Sequence, residues 1–217
     1  WRLPAPFVGE YAEKDAEITL KLWGAMQHEI SKQDLWDVFN LETNLFPCLV
    51  DMKFQGVRVD VQKAMSVKAQ LQETEKNLLQ DINKLAGFDV EIWAAASIAK
   101  AFDGQKIPYD RTDKGAPSFT KNFLATHPAE LPKLINEARE INKANTTFID
   151  TILKHEHNGR IHAEINQIRS DQGGTVTGRF SYNNPNLQQI PARHKHLGPL
   201  IRSLFIPEEK CMWGCFD

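Results

Sequence analysis

Asp60 and Gly87 bracket twenty-six residues, Val61 to Ala86, that contain neither proline nor glycine. Aspartate is a favoured N-cap and glycine a favoured terminator, so the segment predicts one unbroken helix. A helix of that size spans about 39 Å. Most of its faces are polar, and Ala64, Met65, Leu71, Leu78, Ile82 and Leu85 form a narrow apolar seam. So long a rod with so thin a seam packs against one partner helix and projects from the body. Residues 130–154 supply the partner, because Leu134, Ala138, Ile141, Asn145, Phe148 and Ile152 keep helical spacing.

The flanks are less regular. Residues 10–30 read as a helix on Ile18, Leu22, Ala25 and Met26, and 41–55 as another on Leu41, Leu45, Leu49 and Met52. Val57, Arg58 and Val59 alternate as a short strand, and Ile161 to Asn166 as a half-buried one. Lys106 to Pro117, with Pro108 and Gly115, is a flexible connection between shorter helices. From Asp171 to Pro191 the chain is rich in Gly, Asn and Ser and has little periodicity, which in a compact domain marks a functional or disordered loop. The pattern as a whole is α+β and mostly helical.

Composition removes several classes. With 41% hydrophobic residues the chain can bury one or two ordinary cores, and nothing points to collagen, disorder or a disulfide scaffold. No apolar run is long enough to cross a bilayer. Cys48, Cys211 and Cys215 form no CxxC pair and have no histidine at zinc spacing, so they read as reduced core residues of an intracellular protein. The first 60 residues hold six Lys and Arg against ten Asp and Glu, a balance of −4. Residues 159–202 instead hold Arg160, Arg169, Arg179, Arg193, Lys195 and Arg202 against Glu164 and Asp171, a balance of +4. A positive segment in an acidic chain suits a phosphate-tracking surface, and equally a solvated basic loop.

Three blocks narrow the choice. The first is Thr175-Val176-Thr177-Gly178-Arg179-Phe180-Ser181, the second Pro185-Asn186-Leu187-Gln188-Gln189-Ile190-Pro191. The third is the apolar approach Met212-Trp213-Gly214-Cys215-Phe216-Asp217, which reads as a core strand ending in a carboxylate. In order and spacing they resemble family A DNA polymerases, the group of bacterial DNA polymerase I and many phage replicative enzymes. Ile201 to Pro207 also resembles that family's lead-in to its first catalytic Asp.

The resemblance implies template-directed addition of deoxynucleotides to a primer 3′-OH, by in-line phosphoryl transfer at a two-Mg²⁺ site. It assigns Asp217 to that site as a metal ligand, and Arg179 to the minor groove at the primer terminus. Acceptors common to all base pairs lie in that groove, which suits checking of pair shape without sequence preference. Thr177, Asn186, Gln188 and Gln189 become contacts to the duplex, and Arg193 a phosphate or template contact. Taken alone, Asn186 to Gln189 make an ordinary polar turn. Phe180 and Tyr182 stand where bacterial relatives more often carry Leu and Ser, which bears on local packing.

Arg139 and Lys143, four apart on the partner helix with Glu137 and Glu140 close by, suit a solvated charged face; by resemblance they are phosphate-binding groups of the family's thumb, with Lys106, Arg111 and Lys114 nearer its tip. Tyr11 and Asp15 also lie four apart, on one helical face. By themselves they are an ordinary amphipathic pattern. By resemblance they are the last residues of a 3′→5′ exonuclease, with Asp15 its metal ligand.

The implied organisation is an exonuclease end at 1–40, the start of the polymerase domain at 41–60, a thumb at 61–157, and the first part of the palm at 158–217. The start at Trp1 suggests a trimmed piece, and the fingers and second palm carboxylate are expected beyond Asp217. The chain is thus expected to bind primer–template DNA but to be inactive alone. dNTP would join only in the complete enzyme, with the remaining segment covalent or on a second chain. The expected setting is the cytoplasm of a bacterium or phage-infected cell, without a membrane partner. A non-catalytic nucleic-acid-binding module descended from a polymerase is the competing reading.

Overall fold

The computed structural model describes residues 5–170, 173–192 and 194–215, with side chains from Val8 onward. The chain divides into two compact units, Trp1–Phe54 and Gln55–Asp217.

The first unit consists of helices α1 (Ala5–Lys32) and α2 (Trp36–Gln55). They meet at a corner where Asp34 has a φ of 52°. Trp36 bonds back through its indole N–H to Ser31 Oγ at 2.9 Å and sets its ring edge-on to Phe39, 5.7 Å away. Trp23 of α1 closes on the same Phe39 at 5.5 Å. This aromatic corner explains why α2 begins five residues before the apolar stripe that predicted it. Of that stripe only Leu49 is buried; Leu41 and Met52 are exposed, as are Ile18, Leu22 and Met26 of α1.

In the second unit, β1 (Val57–Arg58) precedes α3 (Val61–Ala86), whose bounds match the expected rod. Asp60 Oδ1 accepts from the Lys63 N–H, and Gly87 closes the helix with a φ of 76°. Then follow α4 (Ala95–Gly104), the hairpin of β2 (Asp110–Arg111) and β3 (Pro117–Ser118), and α5 (Lys121–Thr126). The partner helix is α6 (Glu130–Lys143), which runs through a π-helical turn, Ala144–Ile149, into α7 (Asp150–His155). It packs against α3 as expected.

The rod serves two cores. Ile82, near its C-terminal end, joins Phe102, Ile98, Leu124, Leu131 and Ile135 in a tip core. Ala64, Val67 and Leu71, near its start, join Ile149, Ile152, Ile161, Ile201 and Leu204 in a base core. Between the cores the helices meet through polar groups, including Asn142 Nδ2 donating to Glu75 Oε1 at 2.8 Å. The expected seam is therefore corrected: Val67 belongs to it, while Met65 and Leu85 lie exposed.

The expected single strand at 161–166 is two. β5 (Arg160–Ile161) lies between β1 and β4 (Glu156–His157), whereas β6 (Glu164–Asn166) pairs with β7 (Ser181–Asn183) in a separate ribbon. Ile161 faces Val57, but three residues later Glu164 faces Asn183. Alternation continues through the junction although the pairing partner changes. The chain then forms a 3₁₀ turn, Leu187–Gln189, and α8 (Leu197–Arg202).

Two further expectations are corrected. Residues 211–215 form no strand, since no described strand lies beside them to pair with their backbone, and Met212 and Trp213 are exposed. All three cysteines are exposed instead of in a core. Among the described residues, no helix is long and apolar enough to cross a membrane.

Candidate nucleic-acid interface

A cleft of about 480 Å³ lies between the helical arm and the segment that follows β7. One wall is Lys143, Ala144 and Phe148, where α6 passes into its π turn; the other is Gln188 to Ala192. Lys143, Gln188 and Gln189, singled out separately in the sequence, thus line one cavity. All three are exposed. A second cleft of about 210 Å³ shares Phe148, Gln189 and Ile190 with the first and adds Asn186 to its lining.

Arg139 sits elsewhere. Its Nε donates to Ile92 O at 2.6 Å and its Nη1 to Phe119 O at 3.0 Å, while the guanidinium lies 5.1 Å from the Trp93 ring centre. Burial pushes this group below its usual pKa, and two backbone carbonyls with an aromatic face replace its water. Lys143 lines the cleft and Arg139 does not, so four-residue spacing does not put them to one use. At the tip, Arg111 donates to Gly115 O at 2.9 Å and lies over the Tyr109 ring, while Lys106 and Lys114 are exposed.

The loop carrying Arg179 is built on tight backbone approaches. Gly174 has a φ of 99°, and a Cβ there would lie 2.1 Å from Ile168 O, so only glycine fits. Thr175 Oγ1 donates to Arg179 O at 2.7 Å, and Thr177 Oγ1 to Thr175 Oγ1 at 3.3 Å, closing the turn that displays Arg179. Arg179 and Thr177 are exposed. Gln188 Nε2 reaches back to Phe180 O at 3.0 Å, so the amide turn and the Arg179 loop are tied together. Asn186 Oδ1 accepts from the Gln188 N–H at 3.1 Å, which caps the 3₁₀ turn. The ordinary Asx-type reading of Asn186 therefore holds alongside any ligand role.

Some groups here were not singled out in the sequence. Glu164 accepts from Asn183 Nδ2 at 2.7 Å and Asn184 Nδ2 at 3.1 Å, and Asn166 Nδ2 donates to Asn183 Oδ1 at 2.6 Å, which locks the β6–β7 ribbon. Glu140, in the cleft wall, accepts from Lys121 Nζ at 2.8 Å and faces His194 Nε2 at 3.1 Å. Burial alone would raise the Glu140 carboxyl, but the hydrogen bonds from Lys121 and His194 outweigh it and hold the group below its usual value of 4.5. These partners lie 19 and 54 residues from Glu140, so no local pattern announces them.

In the first unit, Tyr11 and Asp15 are exposed on α1. Arg193 and Asp217 lie outside the described residues. Among the described residues no group of three or more His, Cys, Asp or Glu could hold a metal ion. Asp15 alone does not amount to a donor set for Mg²⁺, which takes several oxygens in near-octahedral order.

The chain is similar over its whole length to a DNA-directed DNA polymerase of Pseudomonas phage M6, at 34% identity, and covers 34% of that protein. It is 36% identical to DNA polymerase DpoZ of Acinetobacter phage SH-Ab 15497, again over the whole chain and 38% of the relative. It thus spans a little over a third of the length of these relatives. In fold it matches the POL domain of Pol1 from M. smegmatis, solved in complex with DNA primer-template and dNTP, with a TM-score of 0.73, 22% identity, 86% of this chain and 33% of that one. The family model described as DNA polymerase family A matches residues 61–217, which take in the tip core, all of the base core but Val59, the cleft and the Arg179 loop, and the chain belongs to that family.

Proposed function

We propose that this chain is the part of a DNA-directed DNA polymerase that grips the primer–template duplex behind the primer terminus. The observation that carries the reading is the shared cleft, with the Lys143 ammonium on one wall and the Gln188 and Gln189 amides on the other. A compact cation suits a phosphate, and amides that both donate and accept suit base edges and sugar oxygens. Asn186 and Thr177 extend the polar surface, and Arg179, tied in through Gln188 and Phe180, reports the geometry of the terminal pair. Arg139 enters as the group that holds the thumb tip to α6, and Arg193 as a phosphate or template contact.

Asp217 would supply one carboxylate to a Mg²⁺ site, and one carboxylate does not make a site. Tyr11 and Asp15 would be the last members of an exonuclease site whose other carboxylates they lack. The chain alone therefore binds duplex without extending it, and dNTP addition requires the fingers and remaining palm. Such a segment would act in the cytoplasm of a bacterium or phage-infected cell.

The test is primer–template binding across a salt series, with primer extension in Mg²⁺ and all four deoxynucleotides. Binding that weakens with salt, without extension, is the expected result. Absence of duplex binding overturns the grip, and extension overturns the inactivity of the chain alone. Arg179→Ala should reduce extension by a complete enzyme much more than it reduces duplex binding.

A further inference from the structure

His194 stands between the two walls of the cleft, and its ring has two different neighbours. Nδ1 faces the backbone N–H of Leu197 at 3.0 Å and of His196 at 3.3 Å. Both of those groups can only donate, so Nδ1 accepts and the ring proton resides on Nε2. Nε2 lies 3.1 Å from Glu140 Oε2, a carboxylate that can only accept. One imidazole therefore takes a bond from the start of α8 and gives one to α6. Glu140 in turn holds Lys121 of α5 through its other oxygen. The side chains of His194 and Glu140 are 30% and 23% exposed, so water competes with the link less than it would at the surface.

We propose that His194, with its proton on Nε2, is a positioning residue that joins the thumb helix to the palm-side segment and sets the width of the DNA-binding cleft. This rests on the duplex-grip reading. Lys143 is one turn beyond Glu140 on α6, while Gln188 and Gln189 lie a few residues before His194. The link therefore fixes the separation of the groups that face each other across the cleft. Without it, the 186–192 segment would have to be ordered by the duplex itself, and that ordering subtracts from affinity.

Two substitutions separate the link from the local turn. His194→Asn keeps an acceptor near the Nδ1 position, so it can cap α8, but has nothing to reach Glu140. His194→Gln places an amide N–H near the Nε2 position, so it can keep the link but not the cap. Primer–template affinity of the 217-residue chain should fall by at least about tenfold in His194→Asn, the low end of the range for losing a hydrogen bond to a charged group. His194→Gln should bind within about twofold of the parent by the same measure, even where its melting temperature is lower. Parent-like binding by His194→Asn, or an equal loss in both variants, overturns the proposal.

A parent chain that binds no duplex removes the functional reading. The ¹⁵N shifts of the His194 ring then decide separately whether the link exists. A protonated Nε2 and bare Nδ1 support it, and a protonated Nδ1 overturns it.

Discussion

Glu140 shows how a single side chain is set by distant partners. Its folded pKa lies below the ordinary 4.5, so its bonds contribute stability above that value and lose it as pH falls through the folded pKa. Thermal melts of Glu140→Gln and the parent should differ most near neutrality and converge only well below 4.5, once the pH has fallen through the folded pKa and the parent carboxyl is protonated. A constant difference across that window would mean that the charge on Glu140 contributes nothing. At this scale the sequence was legible only where chemistry is local. Lys143, Gln188 and Gln189 could be picked out by residue type and by resemblance, and the fold brings them to one cleft. Arg139 has the same residue-type credentials as Lys143, yet two carbonyls 47 and 20 residues away take up its Nε and Nη1. Spacing along a helix tells which way a side chain leaves the backbone, not what waits for it.

Helix ends were legible because capping is a contact within four residues. Asp60 and Gly87 delimit α3 at the expected positions. Asp60→Ala should remove the bond from the Lys63 N–H and cost about 1 kcal/mol, read as a lower denaturant midpoint with unchanged slope. No change in midpoint would show that the base core alone sets the start of α3. The π turn at Ala144–Ile149 was not legible, since no proline or glycine interrupts it and its apolar positions still read as helix. There the Asp150 N–H bonds to Asn145 O, and the Asn145 side chain is buried with an Oδ1 that has no hydrogen-bond partner among the described residues. The split between β5 and β6 escaped for a related reason. Alternation records which face is buried and is silent about which strand pairs with it.

Across the second unit, the two cores and the polar stretch between them imply two regions able to open separately. The tip core centres on Phe102, which is fully buried and packs its ring 4.9 Å from Phe119 and 6.0 Å from Tyr109. Truncating it to alanine removes an aromatic anchor and leaves a cavity, a change worth roughly 3–5 kcal/mol. The base core has its own buried set, Ile149, Ile161 and Ile201, which does not touch that anchor. Native-state hydrogen exchange on Phe102→Ala should therefore speed up at buried amides of α4 and α5, while those of Ile161 and Ile201 keep the parent's protection. The reciprocal Ile149→Ala should do the opposite. Faster exchange in both cores from either substitution would mean that α3 transmits the loss along its length and that the unit opens as one. The distinction matters for a DNA grip, because Lys143 and Gln188 are anchored at the base core while Lys106, Arg111 and Lys114 ride on the tip. On the proposed duplex grip, separate opening would let the tip yield to passing duplex without widening the cleft.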